Sequence, residues 1–292
     1  MRLTVVIPVK DGRGVVGQQL DALLAQVGLE DFEVLVVDNG STDGTPDLVR
    51  TYAGRDPRVR LLEARDRAGA SHARNAGLRA ARSPSVAFCD ADDVVSPGWA
   101  AAMADALEHH ALVGGPLEWD RLNPTWAARA RGRVQKDGWS VLVPGPPWPY
   151  PFAANTGVRR SVALEVGGYD EDLPWGGEDN DFAYRLRAVG IEPVWVPDAV
   201  VHYRARTDLL GLYRQGRGYG GGFVALARRW PEGWPEQPSA PSARQRLRFA
   251  PRLVRSVLRG RSHVAATLFQ LGWSNGVAAE VRDGRRRASP AT

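Results

Sequence analysis

Phe32-Glu33-Val34-Leu35-Val36-Val37-Asp38 is a β-branched run, bounded by acids and apolar at successive positions, so it reads as a strand buried on both faces. Residues 3–8 upstream and 85–90 downstream have the same character, and 58–63 is a fourth, more polar strand. The segments between them, 15–26, 45–52 and 69–82, carry helical periodicity, and Thr45-Pro46 suits a helix start. This βαβαβαβ alternation predicts an α/β fold with a Rossmann-like, mostly parallel, doubly wound sheet. Ligands of such sheets bind beyond the carboxyl ends of the strands. Those ends hold Asp11, Asp38 and Asp90.

Beyond residue 96 the pattern predicts a helix over 97–111, a strand over 112–119 and an irregular stretch over 120–151. There follow a strand at 152–159, helices at 162–166 and 178–189, strands at 193–196 and 200–203, and a helix at 208–229 weakened by Gly216, Gly218 and Gly220 to Gly222. The organisation expected is a domain over 1–230, with a doubly wound half over about 1–96 and a second half over about 97–230. A Pro-rich linker over 231–243 and a basic helical extension over 244–292 follow.

Of the 292 residues, those from 239 onward carry a net charge of +9 and the rest −4. Positive charge confined to the extension argues against a nucleic-acid enzyme and makes the extension the candidate for an anionic membrane surface. Within 244–260, Leu247, Ala250, Val254, Val257 and Leu258 share one helical face and Arg248, Arg252, Arg255 and Arg259 another, the pattern of an interfacial helix, with Pro251 a point of kinking or division. Docking of the apolar face onto the catalytic domain is the alternative. A lone Cys89 excludes a disulfide framework. The opening apolar run is too short for a signal peptide, and no stretch of about 18 apolar residues occurs, so a cytoplasmic, at most peripherally attached, protein is expected.

Two motifs compete for the chemistry. Gly12-Arg13-Gly14-Val15-Val16-Gly17 fits the dinucleotide fingerprint, with Asp38 ending the next strand, and would make the chain a nicotinamide-dependent oxidoreductase. Against it, Asp11 would repel the pyrophosphate at the helix N-terminus. Asp90-Ala91-Asp92-Asp93 has no part in hydride transfer. On a strand end, residues two apart point the same way, so Asp90 and Asp92 converge, and converging carboxylates suit a hard divalent cation. The alternative is that these acids cap a helix or are merely solvated.

The full set, Val6-Ile7-Pro8-Val9, the run from Val37-Asp38-Asn39-Gly40-Ser41 to Thr45, Gly69 to Gly77, Asp90-Ala91-Asp92-Asp93 and Trp175-Gly176-Gly177-Glu178-Asp179, resembles the ordered motifs of family 2 glycosyltransferases with the GT-A fold over about residues 3–205. The resemblance implies an inverting transfer from a nucleoside diphosphate-sugar, a UDP-sugar before a dTDP- or GDP-sugar, to a hydroxyl acceptor, with Mn2+ or Mg2+ as cofactor, and makes about 1–96 the nucleotide half and about 97–230 the acceptor half. It implies that Asp38 contacts the nucleoside near Pro8 and Asp11, that Arg74 lies near the donor phosphates, that Asp90 and Asp92 hold donor and metal, and that Asp179 is the general base. His202, past the last core strand, is the further metal candidate, with a structural histidine as the alternative reading. Trp175 and Glu178 fall on the acceptor side, where Trp119, Trp126, Trp139 and Trp148 also offer apolar faces. Arg229-Trp230 lacks the preceding glutamine of processive members, with Leu226 in its place, so single-sugar transfer is expected. A protein that binds sugar nucleotides with idle catalytic groups is the non-enzyme alternative.

Overall fold

The computed structural model describes residues 1–288 except 143–144, 174–175 and 235. The first ninety residues form β1 (Leu3–Val9), α1 (Val16–Leu24), β2 (Phe32–Asp38), α2 (Thr45–Ala53), β3 (Val59–Glu63), α3 (Ala70–Ala80) and β4 (Ser85–Phe88). They are followed by β5 (Val94–Val95), α4 (Trp99–His109), β6 (Leu112–Gly114), β7 (Leu117–Glu118), α5 (Thr125–Arg131), β8 (Thr156–Arg159) and α6 (Arg160–Glu165). The chain ends with α7 (Glu178–Ala188), β9 (Val194–Trp195), β10 (Val201–His202), α8 (Leu209–Arg229), α9 (Ala243–Leu247), α10 (Phe249–Arg259) and α11 (Arg261–Ala288).

The main sheet runs β3-β2-β1-β4-β8-β6-β9, parallel over its first four strands, with β8 antiparallel to both β4 and β6. Every residue of β2 is buried, as expected for a strand covered on both faces. Val5, Ile7, Val34 and Val36 enter one core layer with Leu20 and Leu23 of α1 and Met103 and Leu107 of α4. The alternate residues Val6, Leu35 and Val37 enter the other with Ala73 and Leu78 of α3 and Phe182 and Leu186 of α7.

Four expectations change. The strand over 112–119 is two strands: Pro116 has no N–H to continue a ladder, so β6 stays in the main sheet while β7 joins β10 and β5 in a second, three-stranded sheet. The stretch 120–151 contains α5, and the strand over 152–159 begins with a 3-10 turn at Ala153–Asn155. There the buried Asn155 side chain donates to the carbonyls of Pro116 and Ala199 and accepts from the Trp99 indole. The helix over 244–260 divides at Arg248, which leaves Pro251 in the first turn of α10, where its missing N–H forfeits no intrahelical bond.

α8 forms as one helix despite its glycines because they make the approach of α11 possible. A Cβ at Gly216 or Gly220 would meet the carbonyl oxygens of Phe269 and Trp273, and one at Gly272 or Gly276 those of Tyr213 and Arg217. Glycine stripes on both helices thus bring backbone against backbone. α11 also packs on α5, so of the expected extension it is α10 whose outer face is left uncovered.

Candidate active site

The turns after β1 and β2 and the start of α3 enclose a cleft of about 720 Å3 lined by Pro8, Asp11, Asn39, Arg74, Asp90 and Asp92, among others. Asp11 adopts a left-handed φ of 51°. Its N–H donates to Ser41 Oγ and its carboxylate accepts from the Thr42 N–H, tying the two turns together. The glycine-rich turn is similarly engaged. The Gly12 N–H donates to Thr45 Oγ1 and the Arg13 N–H to Asp43 Oδ2, both at 2.9 Å. These are amides that a dinucleotide pyrophosphate would need, so the fingerprint here serves to lock loops. Asp38 is fully buried, its carboxylate accepting from the N–H groups of Gly40 and Ser41, so in this conformation it supports the turn after β2 and does not itself line the cleft.

Asp90, Asp92 and Asp93 bring carboxylate oxygens within 4.8 Å of one another past the end of β4. Withdrawal from bulk water on the crowded cleft floor, then the charge of Asp90, push the Asp92 carboxyl up to about 6, although its outer edge faces solvent. Asp93 is buried, accepts from the Arg204 N–H at 2.6 Å through Oδ1, and has no partner at Oδ2. Burial and its two neighbours hold its carboxyl well above the usual range. An all-oxygen set with an orphaned buried oxygen fits Mg2+ or Mn2+. His202 is elsewhere engaged: its Nδ1 is 2.8 Å from Glu118, and its Nε2 faces Arg121 at 2.9 Å. The three aspartates therefore stand without a histidine among the described residues, and a metal-binding His202 would have to leave both partners.

Arg74 joins this cluster to the second half of the site. Its buried guanidinium donates to Asp90 at 2.9 Å and to Glu178 at 3.5 Å and lies over the Tyr169 ring. Burial disfavours its charge, but Asp90, Tyr169 and Glu178 more than compensate and raise its pKa. Glu178 and Asp179 open α7 behind Gly177. Burial, then the charge of Glu178, push the Asp179 carboxyl up to about 7, while the Asn180 N–H and Arg74 oppose the rise. Asp179 faces a smaller cavity, about 80 Å3, walled by Tyr150, Phe152, Tyr219, Phe223, Leu226 and Trp273. Gly176, Glu178 and Tyr219 border both this cavity and a space of about 290 Å3 that reaches Asp90 and Asp92.

Several predicted residues have other work. Trp175 lies outside the described residues. Trp119 is buried, Trp139 packs on Trp195 and Trp148 on Tyr184 and Trp230, and Trp126 lies under Arg261. Asp181, fully buried, accepts from Arg185, Arg229 and the Trp230 indole, so Arg229-Trp230 anchors the end of α8 onto α7. The aromatic wall at Asp179 comes instead from Tyr150, Phe152, Tyr219, Phe223 and Trp273. Trp273, inside the expected extension, carried no signal in the sequence.

A parallel sheet interrupted by one antiparallel strand, with carboxylates gathered past β4, is a GT-A scaffold, and solved structures share it. The mannosyltransferase PcManGT of Pyrobaculum calidifontis, in complex with GDP-Man and Mn2+, aligns over 99% of this chain and 76% of its own at 23% identity and a TM-score of 0.59. S. aureus TarS 1-349 in complex with UDP-GlcNAc aligns over 97% and 92% at 17% identity and a TM-score of 0.57. The sequence profile described as Glycosyl transferase family 2 matches residues 4–166, and the chain belongs to that family. Validoxylamine A glucosyltransferase of Streptomyces hygroscopicus subsp. jinggangensis (strain 5008) is 32% identical over 220 residues, 65% of this chain and 52% of that protein. The chain thus spans about half the length of that curated relative. Among the described residues no helix is long and apolar enough to cross a membrane.

Proposed function

We propose that the chain is an inverting, non-processive glycosyltransferase that moves one sugar from a nucleoside diphosphate-sugar to a hydroxyl acceptor. The observation that carries this reading is the pairing of two carboxylate centres in adjoining cavities, Asp90 with Asp92 and Asp93 on one side and Asp179 on the other, bridged by Arg74. The donor, a UDP-sugar before a dTDP- or GDP-sugar, lies along Pro8, Asp11 and the Asp38-supported turn, with its diphosphate toward Arg74 and Asp90. Asp90, Asp92 and the buried Asp93 would hold the divalent cation, Mn2+ or Mg2+, which when bound neutralises charge on the leaving diphosphate.

Asp179 stands on the acceptor side with Glu178 beside it. The acceptor oxygen attacks the anomeric carbon, the bond to the diphosphate oxygen breaks with its electron pair leaving on the nucleoside diphosphate, and the hydroxyl proton passes to Asp179. A base with a pKa near 7 suits that task at neutral pH. A single displacement inverts the anomeric configuration. The same reading includes a cytoplasmic setting and peripheral contact with an anionic membrane through 244–260, supported by the exposed Leu247, Val254, Val257 and Leu258 beside the arginines of α10.

The test is a calorimetric panel of UDP-, dTDP- and GDP-sugars and NADH with and without Mn2+, run on the wild type and on Asp92→Ala. A nucleotide sugar should bind in the micromolar range and more tightly with Mn2+, a gain that Asp92→Ala loses. Metal-independent binding of NADH in preference to every nucleotide sugar would overturn the reading.

A further inference from the structure

A fourth cavity, about 470 Å3 and open to solvent, lies between α8, α10, α11 and the segment 238–245, within the range of about 300–1,000 Å3 usual for small-molecule sites. Phe223, Phe249, Trp273 and Val277 form the apolar part of its lining, Gln245, Gln270 and Ser274 a polar part, and Arg248 and Arg252, both exposed, stand on its α10 side. It backs directly onto the Asp179 cavity, because Phe223 and Trp273 wall both. Outside it, Leu247 at the end of α9 and Val254, Val257 and Leu258 of α10 face solvent at 64–85% exposure. At 100° per residue, Arg248, Arg255 and Arg259 flank that apolar face, while Leu253 and Ser256 turn inward. No carboxylate occurs between Glu236 and Glu280, a stretch that carries seven arginines. An exposed apolar face, a cationic flank and a partly apolar cavity beside the Asp179 pocket are together complementary to an anionic lipid surface.

We propose that this cavity receives the hydrocarbon chain of a membrane-borne acceptor with an anionic head group, while α10 lies in the bilayer interface; the proposal rests on the transferase reading above. The head group reaches past Phe223 and Trp273, so that its hydroxyl meets Asp179 and the donor sugar. Arg248 and Arg252 meet the negative charge. The chemistry is unchanged: the new glycosidic bond forms on the acceptor oxygen, its proton goes to Asp179, and the nucleoside diphosphate leaves with the electron pair.

The test titrates the full chain with monomeric dodecyl phosphate, with dodecyl maltoside as the uncharged chain and with inorganic phosphate as the chainless charge. Vesicles of phosphatidylcholine with and without phosphatidylglycerol serve for flotation. Dodecyl phosphate should bind at least about tenfold more tightly than either control. Gln270→Trp, which fills the cavity from an exposed position, and the pair Arg248→Ala/Arg252→Ala should each weaken it by about tenfold. Phosphatidylglycerol vesicles should float the wild type and not Val254→Glu/Leu258→Glu, with UDP binding unaltered in every variant. Equal binding of either control, indifference to Gln270→Trp, or flotation that survives the two glutamates would overturn the proposal. Failure of any nucleotide sugar to bind would instead remove the transferase reading, whatever the amphiphile does.

Discussion

At the scale of single residues, the site turns on how far each carboxylate is held from its solution behaviour. Asp179→Asn keeps size and shape but cannot accept a proton, so transfer should fall by roughly 10²–10⁴-fold with donor affinity unchanged, as read by single-turnover kinetics beside calorimetry. Activity of the wild type should fall as pH drops through about 7, where Asp179 gains its proton. Arg74 is one of the groups opposing that rise, so in Arg74→Gln the acid limb of the pH–rate profile should move to higher pH. Stability carries the opposite sign from a salt-bridged carboxylate. Between about pH 4, where an unfolded aspartate ionises, and about 7, native Asp179 keeps a proton the unfolded chain has lost, so its contribution falls as pH rises. Asp179→Asn should therefore gain thermal stability over the wild type above pH 7 and lose that advantage toward pH 4. The sequence already pointed to Asp90 and Asp92, but not by the right geometry: β4 ends at Phe88, and it is the turn through Asp90–Asp93, closed by the Asp93 N–H on the Asp90 carbonyl, that gathers them together with Asp93. It could not reveal that Asp38 is covered, since a strand-end pattern does not say that the following turn folds its N–H groups back onto the carboxylate, nor that His202 is spoken for by Glu118 and Arg121, which lie far away in the chain.

Among the elements, local pattern was reliable where a strand had to be apolar on both faces and unreliable where partners were remote. β1 to β4 were legible from their own residues. α8 looked compromised by glycine because helix propensity knows nothing of α11, which arrives some fifty residues later and needs those glycines. The contrast is measurable within one helix. Gly220→Val should cost about 1–3 kcal/mol or more in urea denaturation, because its side chain must displace the Trp273 backbone. Gly221→Ala, whose Cβ meets open space, should be neutral or stabilise by up to about 1 kcal/mol. Pro116 explains the split of β6 from β7 after the fact; read alone it marks a turn without saying that two sheets part there. α5 was missed because Thr125–Arg131 makes under two turns inside a Pro- and Gly-rich stretch, too short for periodicity to register.

For the whole molecule, charge asymmetry separated the arginine-rich end from the rest but did not reveal that most of that end is built into the catalytic half. Trp273 of α11 walls the Asp179 cavity, and α11 rests on α8 and α5. Truncation after Trp234 should therefore lower the melting temperature and abolish transfer, while a nucleotide sugar, held by residues 8–92, still binds if the shortened chain folds. Intact transfer by the truncated chain would show the acceptor wall to be complete without α11. The division has a consequence for descent. The stretch matched by the family profile ends at residue 166, before Asp179, Tyr219, Phe223 and Trp273. On the proposed reading, substitutions in α8 and α11 can therefore alter the acceptor wall without touching the residues that grip the sugar nucleotide, so a lineage has a route to a new acceptor that leaves the donor site intact.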